Sequence, residues 1–495
     1  MTDNIRRMIT GVVCILYLAL LGYTLAHHEL WGDEIHSWNI VKASPTLSAL
    51  FGNIRYEGHP PVWYLILWPL SRLTHRAVFI QLIQFCIAGA SMVVVLYRSP
   101  FPWTARLMIP FGYLFFFEYA GLSRNYAIGV LLAWGICMLL SDRRFRGGWY
   151  YLLLFLLSNT HLLGLLLAAS FQAYLLLRER FRWIHIVLGF LVLLPAVYFI
   201  LPPSDSQLGP GLWVAGWNLH RLNVFVQAPL RAFVPMPAWW ETHFWNTQFL
   251  LEAGLRWLVV AGAVTGVGLA FVALNSRSSR ALFGVNLALT LCAGCFFPMT
   301  SARYTGFIFV GFLAAYWLQT PRARWPLLVL LVLQIPGGLF AAYKDWHYPF
   351  SLAYEAPALV KEVPAGENLV CDYWALNPLA AFTDSAYYCI DLREKRSFLK
   401  WDGSFAALRR RPDRYAGGFE DYFERTGLRR TYLISTASPP ELMQADGSLF
   451  NCFRVRLVDA RVGAIEKGGN LYLYLVEKLA PLQTPAVQAI GQGHP

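Results

Sequence analysis

The polar side chains that could do chemistry in this sequence fall into a few short, isolated groups. The run Trp31–Gly32–Asp33–Glu34–Ile35–His36 places two adjacent carboxylates just after a long apolar stretch. Such a pair could supply a general base or a cation ligand, or it could offset the dipole at a helix start. Glu57 and His59 come just before Pro60–Pro61, where a histidine is more often a capping or solvated residue than a ligand. Together with His161, from the turn Ser158–Asn159–Thr160–His161, they could hold a metal ion, although the spacing specifies none. Arg124 and Tyr126 stand in SRNYA, and Arg303 and Tyr304 in SARYTG. Guanidinium forks suit phosphate; the competing reading is an arginine reaching for headgroups. Trp213, Trp217, Trp239, Trp240 and Trp245 share one segment with Arg221 and Arg231. Those indoles could stack on sugar faces or anchor the chain at a membrane surface. Cys292 and Cys295 form a CxxC inside an apolar run with no second ligand pair, so the spacing alone carries no metal or redox meaning.

The elements that must position these groups are membrane spans. Of 495 residues, 57% are hydrophobic and only 14% charged, against roughly a quarter charged in a soluble domain. The apolar residues form blocks, such as 9–26, 77–97 and 283–297, close to the ~20 residues a spanning helix needs. Net charge is +12, but the arginines lie in short turns between apolar blocks, which argues for membrane orientation and against nucleic acid. Aromatic content is 16%, with 19 Trp, as expected where rings anchor at headgroup level. The first apolar run is too long for a signal and is followed by His27, His28 and Glu29 rather than a small-residue cleavage site, so it reads as an uncleaved span.

Arginine turns at 6–7, 98–106, 143–146, 178–182, 277–280 and 322–324 should all be cytoplasmic, so an even number of spans must separate neighbours. Three apolar candidates lie between Arg7 and Arg98. The segment 60–73 is the one that fails to cross, because at ~1.5 Å per residue it reaches only ~20 Å of a ~30 Å core. It is expected as a juxtamembrane helix within an external loop spanning 27–76. The remaining pairs are 106–122 with 126–141, 148–159 with 161–177, 184–201 with 251–274, and 281–298 with 304–319, followed by 326–341. The total is about eleven spans, with the N-terminus inside and a second large external loop at 202–250. After residue 342 charges return and short β-rich runs alternate with helical patterns, predicting a periplasmic α/β domain over 343–480. A disordered tail is expected over 481–495. If that domain is external, Cys371 and Cys389 could form a disulfide. The fold class expected is thus a polytopic α-helical protein of a bacterial inner membrane with a small C-terminal α/β domain.

In this topology the carboxylate pair, His-Pro-Pro, SRNYA, NTHLLG and ARYTGF all fall at external span ends, in order over residues 1–340. That ordered set resembles the GT-C superfamily of membrane glycosyltransferases, in particular the protein O-mannosyltransferase and aminoarabinose-transferase group. The resemblance implies a polyprenyl-phosphate sugar donor, typically undecaprenyl phosphate in bacteria, and an extracytoplasmic glycan, lipid or protein acceptor. Transfer would proceed with inversion. Asp33 would be the base or acceptor-orienting carboxylate with Glu34 beside it, and Arg124 and Arg303 would hold the donor phosphate, aided by Tyr126 and Tyr304. Some members carry a carboxylate where this chain has Tyr126, which leaves any divalent cation there open. An O-antigen-type polymerase or ligase would also use external arginines and lipid-linked saccharides. A lipid or solute transporter would instead place polar groups near the midplane of repeated halves, and no repeat is visible.

Overall fold

A computed structural model describes residues 2–142, 146–178, 183–206, 223–297, 299, 301–319, 324–403 and 413–479. The basic turns at Arg143–Arg144, Arg180–Arg182 and Arg322, the loop residues Trp213, Trp217 and Arg221, and the tail 481–495 lie outside the described residues.

The chain is a multi-pass helical membrane protein. Its helices run α1 (Asp3–His27), α2 (Gly32–Ala43), α3 (Leu47–Ile54), α4 (Val62–Leu73), α5 (Phe79–Arg98), α6 (Trp103–Met108), α7 (Tyr126–Ser141), α8 (Gly147–Ser158), α9 (Leu162–Arg178) and α10 (Trp183–Ile200). They continue with α11 (Val224–Phe233), α12 (Phe249–Glu252), α13 (Arg256–Ala273), α14 (Arg277–Phe296), α15 (Ala302–Trp317), α16 (Trp325–Val332) and α17 (Ile335–His347). Among the described residues six helical stretches are long and apolar enough to cross a membrane, the last being Trp325–His347. Helices α7, α8 and α9 are apolar but shorter.

One expected span is not a regular helix. Residues 106–122 take in only the end of α6, then a 3-10 turn over Ile109–Phe111 and a π turn over Leu114–Glu118. Pro110 lacks the amide that would continue α6. Gly112 and Gly338 let the two backbones approach, since a Cβ on Gly338 would lie 2.7 Å from the Phe111 carbonyl. The amide of Tyr113 then donates to the Gln334 carbonyl at 3.0 Å. Irregular backbone at membrane depth is tolerable when protein satisfies it in this way.

A continuous apolar core joins α1, α5, α7, α8, α9, α11, α13, α14 and α15. Helix α15 is buried on nearly every face, the pattern of a central helix rather than a lipid-facing one. It therefore fixes Arg303 in its first turn.

The C-terminal region carries a six-stranded mixed sheet in the order β3-β2-β1-β4-β6-β5. The strands are β1 (Leu369–Cys371), β2 (Tyr387–Cys389), β3 (Glu394–Arg396), β4 (Arg430–Ser435), β5 (Phe453–Arg461) and β6 (Leu471–Lys478). β2, β1 and β4 are parallel and the other pairings antiparallel. Cys371 and Cys389 are register partners on neighbouring strands, and both are free buried thiols rather than a disulfide. Composition places the domain boundary at residue 343, but α17 continues to His347.

This domain docks on the segment between α1 and α5. Asn39 of α2 donates to the Asn377 carbonyl at 3.0 Å, and Lys42 donates to the Ala380 carbonyl at 2.7 Å. Lys42 also pairs with Asp384 at 2.9 Å. From the other side, the Phe350 amide donates to Glu29 at 2.7 Å.

Candidate active site

Asp33 and Glu34 both belong to the first turn of α2, but their side chains diverge. Glu34 closes the start of its own helix, accepting from the Trp31 amide at 3.0 Å. It also accepts from the Ser123 amide and from His28 Nε2, the latter at 3.0 Å. The other ring nitrogen of His28 faces Asp345 of α17 at 3.1 Å, and all three side chains are fully buried. Carboxylates only accept hydrogen bonds, so His28 donates from both nitrogens as an imidazolium. This Glu34–His28–Asp345 bridge ties the end of α1, the start of α2, the 119–125 turn and α17 together. Glu34 thus faces away from the cavity that Asp33 borders, and its place is that of a positioning residue.

Asp33 keeps 37% of its side chain exposed. Its Oδ2 lies 3.3 Å from Arg303 Nη1 and 3.5 Å from Arg124 Nη1, and Arg124 Nη1 also donates to the Asp33 carbonyl at 2.7 Å. Burial pushes the Asp33 carboxyl up, but the two guanidiniums outweigh it and hold the group below the usual carboxylate range. The arginines themselves are rigidly set. Arg303 lies against Tyr304, Trp31 and Trp245 at 4.9, 5.2 and 5.4 Å from the ring centroids, a planar contact that only guanidinium makes well. Its Nε has no partner among the described residues. Trp245 in turn donates to Glu118 at 3.3 Å, and Glu118 accepts from Tyr113 at 2.8 Å.

Tyr126, first residue of α7, is buried, its hydroxyl has no partner among the described residues, and its ring lies 6.3 Å from that of Tyr304 and 4.9 Å from that of His161. The structure therefore brings Asp33, Arg124, Tyr126, Arg303 and Tyr304 into one place. His59 sits beside them, and burial together with the nearby Arg124 charge pushes its pKa down to about 3, so it is neutral.

The metal set Glu57, His59 and His161 is not assembled. Glu57 instead pairs with His36 Nε2 at 2.7 Å. His161 accepts the Gly164 amide on Nδ1 at 2.9 Å, capping α9. Gly129 makes room for its ring, since a Cβ there would lie 2.8 Å from His161 Nε2. Among the described residues no three His, Cys, Asp or Glu side chains converge as a metal site requires.

Of the tryptophan loop, Trp245 packs in the site while Trp239 and Trp240 are exposed. Arg231 is buried and spends its guanidinium on the carbonyls of Asn246 and Thr247 at 2.7 and 3.1 Å. His28, Glu118 and Asp345 escape a reading of the sequence, because a lone polar residue near a span end does not announce which distant partner it meets.

A cavity of about 270 Å³ opens beside Asp33, between α2 and the C-terminal domain. Trp31, Asp33 and His36 form one wall, and Trp374, Trp401 and Glu466 the other. Trp401 Nε1 lies 3.1 Å from His36 Nε2. Burial, reinforced by the Asp33 charge, pushes the Glu466 carboxyl up.

No protein-family model and no curated protein sequence matches the chain. Its fold is similar to the crystal structure of ArnT from Cupriavidus metallidurans in the apo state, with a TM-score of 0.50 at 13% identity, over 94% of this chain and 98% of that one. The same protein bound to undecaprenyl phosphate gives a TM-score of 0.49 at 12% identity, over 97% and 99% of the two chains. The chain thus shares the fold of the apo ArnT structure along nearly its whole length.

Proposed function

We propose that this chain is an integral-membrane glycosyltransferase that moves a sugar from a polyprenyl-phosphate donor to an extracytoplasmic acceptor, with inversion at the anomeric carbon. The observation that carries the reading is Asp33, a half-exposed carboxylate flanked by Arg124 and Arg303 at 3.5 and 3.3 Å. A polyprenyl phosphate is an anion that must leave with the bonding electron pair. Two fixed guanidiniums in a buried setting stabilise that departing charge more than they stabilise the bound ester. Phosphate oxygens compete with Asp33 for Arg303 and Arg124, which releases the carboxylate to meet the acceptor.

The step balances simply. The acceptor oxygen forms a bond to the anomeric carbon and gives its proton to Asp33. The bond from that carbon to the phosphate oxygen breaks, and polyprenyl phosphate leaves with the electron pair. Neutral His59 adds no charge that would compete for the phosphate. Attack and departure on opposite faces of the anomeric carbon give inversion. Tyr304 holds the Arg303 plane, and Tyr126 offers a hydroxyl with no partner among the described residues. The orientation that goes with this reading puts the site and the C-terminal domain on the periplasmic side of an inner membrane crossed about eleven times.

The test is transfer of labelled sugar from a panel of polyprenyl-phosphate sugars by the purified protein, with Asp33→Asn alongside. Label leaves the lipid with wild type and falls by ~10²–10⁴-fold in the variant, the range for loss of a general base. Wild-type turnover by the variant refutes the role of Asp33. If the wild type consumes no donor in the presence of crude envelope acceptors, the reaction itself is wrong, and a polymerase or transporter takes its place.

A further inference from the structure

The cavity beside Asp33 is not explained by donor binding. Neither Arg124 nor Arg303 lines it, and two of its walls carry carboxylates, Asp33 and Glu466. An anionic phosphate would meet these two carboxylates there, and the one basic side chain of the lining, His36, is already paired with Glu57 at 2.7 Å, which favours a neutral occupant. Trp31, Trp374 and Trp401 supply apolar faces, with the rings of Trp374 and Trp401 forming a corner at 5.8 Å and 54°. Indole faces next to hydrogen-bonding carboxylates suit a ligand with one apolar face and a hydroxylated rim, which describes a pyranose. At about 270 Å³ the cavity lies just below the ~300–1,000 Å³ of pockets for drug-sized ligands, so it has room for a single sugar unit.

Its place in the fold agrees. Trp374 follows the end of β1 and Thr436 the end of β4, two parallel neighbours. Open α/β sheets bind ligands in the crevice outside the carboxyl ends of their parallel strands. Trp374 is 44% exposed at this point.

We infer that this cavity is the acceptor subsite: it takes one terminal sugar residue of a glycan or glycolipid, with its apolar face against the Trp374–Trp401 corner and its reacting hydroxyl at Asp33. The C-terminal domain then sets acceptor specificity, while the membrane helices hold the donor. The inference rests on the glycosyltransferase reading for its chemistry, but saccharide binding can be measured without any donor.

The experiment is saturation-transfer NMR on the full-length protein in detergent, titrated with methyl glycopyranosides of neutral and amino hexoses and pentoses. At least one glycoside should bind wild type. Trp374→Ala should raise its half-saturation tenfold or more, Trp374→Phe should restore most of the affinity, and Trp240→Ala, at a surface indole outside the cavity, should change nothing. Matched melting temperatures show that the variants are folded. Binding of no glycoside, an unchanged half-saturation in Trp374→Ala, or binding of serine- and threonine-containing peptides in place of glycosides overturns the subsite. Donor turnover by water is read separately. A protein that binds glycosides but consumes no donor keeps the subsite and loses the reaction, whereas one that consumes donor but binds no glycoside loses the subsite alone.

Discussion

Two carboxylates one residue apart have opposite environments here, and substitutions should separate them. Asp33 is exposed enough to meet a substrate, whereas Glu34 is fully buried against His28. Removing one member of a buried charged pair costs about 3–5 kcal/mol. Glu34→Ala should therefore lower the melting temperature sharply and reduce the yield of folded protein, while Asp33→Asn should lower turnover with the melting temperature unchanged. Equal melting losses in the two would refute this division. Sequence does not make it, because a capping glutamate and a catalytic one look alike in a linear string. Arg124 and Arg303 are legible, since in the sequence each stands alone in a short polar turn apart from the arginine clusters that separate the other apolar blocks. Titration divides the groups too. The folded pKa of Asp33 is lowered, so its ion pairs contribute stability above the unfolded value of ~3.9 and lose it only as pH falls through the folded value. The acid limb of the pH–rate profile should accordingly fall below the usual carboxylate range. His36 runs the other way. Burial lowers its pKa, but Glu57 and Asp33 outweigh burial and the Arg124 charge, and the net shift is upward. Its stability contribution is complete below ~6.5 and disappears as pH rises through the raised value. Melting temperature measured against pH should show that alkaline loss in wild type, and His36→Gln should flatten it; an unaltered slope in the variant would assign the loss to another group.

At the scale of elements, the site depends on a segment that is not a regular helix. The irregular stretch from α6 to Glu118 leads straight into Tyr119 and Arg124, and its backbone is held against α17 through Gln334. A Cβ at Gly338 would lie 2.7 Å from the Phe111 carbonyl and 2.9 Å from the Tyr113 amide, atoms that cannot turn aside as a flexible side chain would. Gly338→Ala should destabilise the protein by about 1–3 kcal/mol, as overpacking does, and should weaken donor binding by displacing Arg124. A thermal melt and a donor titration check both, and wild-type values in each would show that the contact is not needed. Sequence predicts a plain span over 106–122 because an apolar run reads the same whether its helix is continuous or broken. Pro110 and Gly112 are the available signals. In the C-terminal region the runs at 368–371, 386–390, 430–434 and 470–476 each overlap a strand. β3, only three residues long, and β5 escape notice, the latter because its exposed face interrupts the alternation of a half-buried strand. Strand order is out of reach, since β4 lies between β1 and β6 through pairings distant in sequence.

For the whole molecule, the decisive quantity is which side of the membrane the docked C-terminal domain occupies. Composition alone makes the chain a membrane protein, and the distribution of arginine proposes an orientation, but six long apolar helices among the described residues do not by themselves fix the direction in which they cross. The docking contacts make the question a single one. Lys42, Asn39 and Glu29 bind the C-terminal domain to the segment that carries Asp33, so site and domain must share a side. A native probe is available, because Cys452 is exposed on that domain, while Cys371 and Cys389 are buried in its sheet. The other exposed cysteines, Cys86 and Cys292, lie in the apolar helices α5 and α14, where a charged reagent in water does not reach them. A membrane-impermeant maleimide added to intact spheroplasts should therefore label the protein at Cys452, and Cys452→Ser should abolish that labelling. Labelling that appears only after lysis would put the domain in the cytoplasm. It would carry Asp33, the two arginines and the acceptor cavity with it, to a face where a periplasmic acceptor is never met.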